Sequence, residues 1–132
     1  MICYLDSNIV IYFVENPPRW GPLAKARIAR LQSVGDLLAV SDLTRMECQV
    51  GPLKRGDDLL LRQFRAFFAT AGLQIIPLTG IVCDGAAAIR ATHGFKPLDA
   101  LHLAAAIEAR CGLFLTHDAR LSGFRGISVE VL

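Results

Sequence analysis

Four carboxylates in this chain occupy positions where a carboxylate is costly. Asp6 closes the apolar run Ile2–Leu5, and Glu47 interrupts an apolar helical stripe. Asp99 lies in the first turn of a helix with almost no polar face, and Asp118 follows the apolar run Leu113–Leu115. A buried carboxylate without a partner carries a large desolvation cost. Singly, each acid has an ordinary explanation. Asp6 can cap the helix after it, Asp118 can form an Asx-turn, and Asp99 can lean on a helix dipole. A small change of helix phase would expose Glu47. Jointly, and with Lys25, Lys54 and Lys96 in unsuitable segments, the four acids point to a hard-cation site. Mg²⁺ takes oxygen ligands from a few carboxylates, keeps several waters and leaves room for a phosphate. Such ions can activate water, neutralise phosphoryl oxygens and stabilise a leaving oxygen. Ser7 and Thr116 suit supporting hydrogen-bond roles beside those acids. Metal-free acid–base cleavage of a phosphate ester would want paired histidines, whereas His93, His102 and His117 fall in different elements. His102, three residues after Asp99, reads as a core histidine satisfied by hydrogen bonding.

The elements that must position these acids alternate between strand and helix. Strands are expected at Ile2–Leu5, Leu37–Val40, Leu73–Ile76, Leu113–Leu115 and Ile127–Val131. A short helix covers Ile9 to Val14, and a second runs from Pro22 to about Ser33 with Leu23, Ala24, Ile28 and Leu31 inward. A third, from Asp42 to about Val50, has Leu43, Met46 and Val50 as its core stripe with Glu47 among them. Gly51-Pro52 should close it ahead of a basic loop, Lys54-Arg55-Gly56. Asp57 can cap a fourth helix, whose Leu60, Leu61, Phe64, Phe67 and Phe68 face the core. Thr79 starts a fifth with Ile81, Val82, Ala86 and Ile89 inward. Pro97 opens the apolar sixth, and Gly112 offers a left-handed residue past its end. After it, Ser122-Gly123 to Gly126 reads as a loop.

This alternation predicts an α/β fold, a mostly parallel central sheet flanked by helices, with residues 1–132 as one domain. In such sheets ligands bind beyond the carboxyl ends of the strands. All four acids would converge on that edge.

Composition narrows the setting. The hydrophobic fraction is 53% and the net charge only +2. So much apolar surface suggests a large core or a face reserved for a second chain. No apolar run approaches the ~20 residues of a membrane span, and the N-terminus lacks the features of a signal peptide. Cys3, Cys48, Cys83 and Cys111, with no C-x-x-C pattern, read as reduced, buried thiols of a cytoplasmic protein. Arginine greatly outnumbers lysine, which suits phosphate recognition. Taken one at a time, however, Arg19, Arg45, Lys54, Arg55 and Arg120 read as solvated surface.

In their order and spacing, YLDSN, SDLTRMECQVG, KPLDALHLAAA and LFLTHDARL resemble the acidic motifs of PIN-domain nucleases. The likeness is strongest to the VapC-type toxins of toxin–antitoxin pairs and spans nearly the whole chain. It implies a three-layer PIN fold and Mg²⁺- or Mn²⁺-dependent endonucleolytic cleavage of RNA. By this resemblance Asp6, Glu47, Asp99 and Asp118 are the metal-binding catalytic acids. Ser7 and Thr116 support them, and Asn8 is a polar neighbour in the first motif. The implied partners are a cognate antitoxin and a second copy of the chain. The last motif departs from the family's common Thr-Asn-Asp with a further acid: His117 replaces the Asn, and Arg120 stands where that acid could be. Two other classes compete. A non-catalytic α/β binding module would be expected to lose at least one acid. A phosphoryl-transfer protein would add a nearby lysine, or, in its dehalogenase-like form, an Asp where Asn8 stands.

Overall fold

The computed structural model describes residues 1–132. The first strand, β1 (Ile2–Leu5), leads directly into α1 (Ser7–Glu15), and α2 (Trp20–Ser33) returns to β2 (Leu37–Ser41). Two helices, α3 (Asp42–Arg55) and α4 (Asp58–Phe68), precede β3 (Gln74–Ile76). Two more, α5 (Gly80–His93) and α6 (Pro97–Glu108), precede β4 (Leu113–Thr116). A 3₁₀ turn, Ala119–Gly123, connects to β5 (Val129–Val131). The strands form one parallel sheet in the order β3-β2-β1-β4-β5. The chain builds outward from β1 on one side, then crosses back to build outward on the other. The switch point therefore lies between β1 and β4, where Asp6 and Asp118 emerge.

Successive strand residues point to opposite faces, which produces two cores. Tyr4, Ala39 and Phe114 pack under α5 and α6 with Val82, Ala86, Leu103 and Ala105. Cys3, Leu5, Val40, Leu113 and Leu115 pack on the other face with Ile9, Ile28, Leu31, Phe64 and Phe68. The result is three layers, with strands too buried to alternate apolar and polar residues. No helix is long and apolar enough to cross a membrane.

Several local expectations are corrected. The third helix does not stop at Gly51-Pro52; it runs to Arg55 and ends at Gly56, whose φ of 64° is left-handed. Pro52 is buried, and that apolar contact offsets the helix hydrogen bond a proline forfeits. Lys54 and Arg55 thus belong to its last turn. Its inward stripe is Leu43, Thr44, Cys48 and Pro52 rather than Leu43, Met46 and Val50, and Met46 is 48% exposed. Leu23 and Ile81 are likewise exposed. They lie at the margins of their helix faces, whose other expected residues, Ala24, Ile28 and Leu31 in α2 and Val82, Ala86 and Ile89 in α5, are buried. Phe67 is only partly buried, Cys83 is exposed rather than buried, and the last strand is confined to Val129–Val131. Ser122 and Gly123 belong to the 3₁₀ turn. The left-handed residue after α6 is Arg110 and not Gly112.

Candidate active site

At the carboxyl end of β1, Asp6 is the N-cap of α1, and its Oδ1 accepts from the Ser7 amide at 2.8 Å. Its Oδ2 accepts from the Thr116 hydroxyl, at the end of β4, at 2.7 Å. Capping and site formation are thus done by the same carboxylate, one oxygen for each neighbouring element. Thr116 Oγ1 also accepts from the Asp118 amide at 3.0 Å, so one hydroxyl orders two acids. Asn8 ties the same ends together, its Oδ1 accepting from the His117 amide at 3.2 Å.

Glu47 reaches this edge from α3 and is partly exposed there. Its Oε1 accepts from Ser7 Oγ at 2.8 Å and lies 2.5 Å from His102 Nε2. A carboxylate only accepts, so His102 carries a proton on Nε2. The other ring nitrogen lies 2.7 Å from the Tyr4 hydroxyl, which also bonds Ser41 Oγ at 2.8 Å. Burial pushes the Glu47 carboxyl up; the hydrogen bonds and charge of His102, with the Ser7 bond, outweigh it and leave it below the usual range. His102 is buried as expected, yet its ring also stands 3.7 Å from Asp6 Oδ1. Sequence reasoning left it in the core; its i+3 spacing from Asp99 was the signal that it shares that acid's helix face.

Asp99, in the first turn of α6, is partly buried. Burial raises its pKa, as do the charges of Asp6 and Asp118, while Arg120 and His102 pull it back. Asp118 caps the 3₁₀ turn and accepts from the Arg120 amide at 3.0 Å. The Arg120 guanidinium folds onto the same carboxylate, and that hydrogen bond is the main reason its pKa is lowered; Lys96 contributes as well. Both cations therefore act on the site, Lys96 through its charge and Arg120 by contact. His117 turns away: its ring packs 4.2 Å from that of Trp20 and 5.3 Å from that of Tyr12.

The donor set is oxygen-rich, and Asp99 is repelled by both Asp6 and Asp118, which is the chemistry a hard divalent ion relieves. In the geometry described, no three His, Cys, Asp or Glu side chains converge on one ion. Glu47 and Asp118 are instead engaged by His102 and Arg120. A cavity of about 250 Å³, lined by Phe13, Ile28, Leu38, Phe67 and Leu73 among others, opens beside the start of β2, and none of the four acids lines it.

The family described as PIN domain matches residues 3–127. This chain belongs to the PIN domain family. Its fold is the PIN fold, and solved structures share it over nearly their whole length. VapBC2 from Rickettsia felis, bound to a promoter DNA fragment, matches with a TM-score of 0.79 at 18% identity, covering 99% of this chain and 98% of that one. A toxin–antitoxin complex from Klebsiella pneumoniae gives 0.70 at 25% identity over 95% and 94% of the two chains. VapC20 from Mycobacterium tuberculosis, a sarcin-ricin loop cleaving toxin, gives 0.74 at 14% identity over 96% and 98%. The comparison with curated proteins finds no match. The chain is thus a PIN domain whose fold is shared with solved VapC toxins and toxin–antitoxin complexes.

Proposed function

We propose that this chain is a Mg²⁺- or Mn²⁺-dependent endoribonuclease, the toxin of a toxin–antitoxin pair, with Asp6, Glu47, Asp99 and Asp118 as its working acids. Ser7, Asn8 and Thr116 order them. The observation that carries the proposal is the gathering of Asp6, Asp99 and Asp118 at the switch point of a PIN fold, where the charges of Asp6 and Asp118 both bear on Asp99. A bound divalent ion would neutralise phosphoryl oxygens and make a water a better nucleophile. The chain's own part is orientation. Thr116 and the Ser7 amide fix both oxygens of Asp6, and Ser7 with His102 aims Glu47 from the opposite side. Asp99 and the ordered Asp6 are the first candidates to hold the ion, with Asp118 and Glu47 completing its surroundings.

The protein would act in the cytoplasm on RNA, as one domain over residues 1–132, as a homodimer and under control of a cognate antitoxin. Exposed Leu23 and partly buried Ile11 and Tyr12 are available for part of those contacts. The purified protein is expected to cut RNA with Mg²⁺ or Mn²⁺ and to stop when EDTA is added; undiminished cutting in EDTA would overturn the carboxylate–metal mechanism. A second proposal is a non-catalytic binding module on the same fold. It is favoured by Glu47 and Asp118 each being held already by a basic side chain. A folded protein that cuts no RNA with either ion would select it.

A further inference from the structure

Arg120 lies where a metal site would be expected to carry negative charge. Two residues beyond Asp118, it folds back so that Nε is 2.9 Å and 3.1 Å from the two carboxylate oxygens, with Nη2 2.5 Å from Oδ2. The same Nη2 stands 3.8 Å from Asp99 Oδ2. One guanidinium thus bridges two of the acids that repel each other. Its side chain is 62% exposed while those of Asp99 and Asp118 are 23% and 20% exposed, so the cation sits on the solvent side of the pair. Exposed ion pairs contribute little to folding, so stability gives little reason for this arrangement. A guanidinium has five N–H donors. Asp118 takes the Nε proton and one on Nη2, and Asp99 is reached by charge across 3.8 Å without a hydrogen bond. The Nη1 pair remains for a ligand arriving from solvent. Arginine is also the side chain whose fork suits carboxylate on one edge and phosphate on another.

We propose that the Arg120 guanidinium fills the second cation position of this site, so that the chain takes one divalent ion and Arg120 supplies the other positive charge against a non-bridging phosphate oxygen of the RNA. The inference rests on the nuclease reading. Nucleases with two ions place positive charge on both sides of the transferring phosphoryl group; here one of those charges is covalently part of the chain and always present.

Mn²⁺ titration of the folded protein, followed by calorimetry and by electron paramagnetic resonance, is expected to give one tightly bound ion per chain. Arg120→Asp exchanges the guanidinium for a carboxylate and should bind two. In Mg²⁺, Arg120→Gln should lower kcat by about 10²-fold, the effect of removing one donor from a developing charge. Arg120→Lys should recover part of that loss, and Arg62→Gln on exposed α4 should match the parent. A parent that cuts RNA and binds two ions, or an Arg120→Gln variant with the parent's kcat, overturns the role of Arg120 and leaves the nuclease reading standing. A parent that binds no ion and cuts no RNA overturns both.

Discussion

Asp99 has the least support of the four acids from the protein itself. Its pKa is raised by burial and by Asp6 and Asp118, so the folded state keeps its proton to higher pH than the unfolded chain does. From the ordinary carboxylate value upward to the folded one, the folded state binds more protons, and its stability falls as pH rises. Asp99→Asn should remove that fall in metal-free buffer. It should also leave the melting temperature equal or higher, the relief of repulsion offsetting a helix-dipole loss of ~0.3–1 kcal/mol. Cleavage should drop by at least about 10²-fold. Mg²⁺ at a hundredfold excess over Kd should stabilise the parent by about 2.7 kcal/mol and the variant much less. Asp58→Asn, in the exposed first turn of α4, should change neither. Normal cutting by Asp99→Asn with the parent's Mg²⁺ response would make Asp99 a helix-start acid only. Asp6, Asp99 and Asp118 stand out because each ends or interrupts a buried apolar pattern, whereas the stripe that singled out Glu47 includes Met46 and Val50, which are exposed. The acids' partners were not legible: Glu47 and His102 are 55 residues apart, and nothing local in either segment names the other.

At the scale of elements, strand order and layers follow from short apolar runs separated by amphipathic helices. Helix phase was harder to read. In α3 the buried set follows Thr44, Cys48 and Pro52, because a threonine and a cysteine fill the small spaces beside the sheet while larger Met46 stays outside. Hydrophobicity alone ranks those residues in the opposite order. The edge strand β5 shows a different device. Glu130 takes a two-pronged bond from Arg27 of α2, at 2.6 Å and 2.9 Å, which ties a three-residue strand to the helical layer. That bond is the main reason the Glu130 pKa is lowered. A lowered acid stabilises the fold above its unfolded pKa, and the contribution is lost as pH falls through the folded value. Glu130→Gln should therefore cost about 0.5 kcal/mol near neutral pH, discounted for solvent exposure. Urea unfolding should show that difference disappear in acid; a difference that persists there would assign the effect to packing.

Over the whole molecule, the cysteines separate by depth. Burial pushes the Cys3 and Cys48 thiols up to about 12 and the Cys111 thiol to about 11, while Cys83 lies exposed on α5. The thiolate is the reactive form. Native protein should thus titrate one thiol per chain with a disulfide reagent, denatured protein all four, and native Cys83→Ser none. A second fast-reacting thiol in the native protein would mean that one of the cores opens on the timescale of labelling. The high apolar fraction, read from sequence as core or contact surface, divides between the two: the sheet takes most of it, yet Met46, Val50 and Leu53 line one side of α3 in the open. Composition cannot make that division, because it carries no information on which side of a helix faces the sheet.

The central place of β1 bears on when the site comes into being. The strand made first by the ribosome must wait for β4 to cover its second edge, and Asp6 waits for Thr116, 110 residues later. At roughly 5–20 residues per second, the interval between translating Glu47 and Asp118 is on the order of several seconds. For most of that time the growing chain holds two of the acids at the edge of an incomplete sheet, and Asp99 joins them shortly before Asp118. Long-range parallel pairing adds its own delay after release. The acidic edge is therefore completed late, and a product cut short before β4 would lack Thr116 and Asp118.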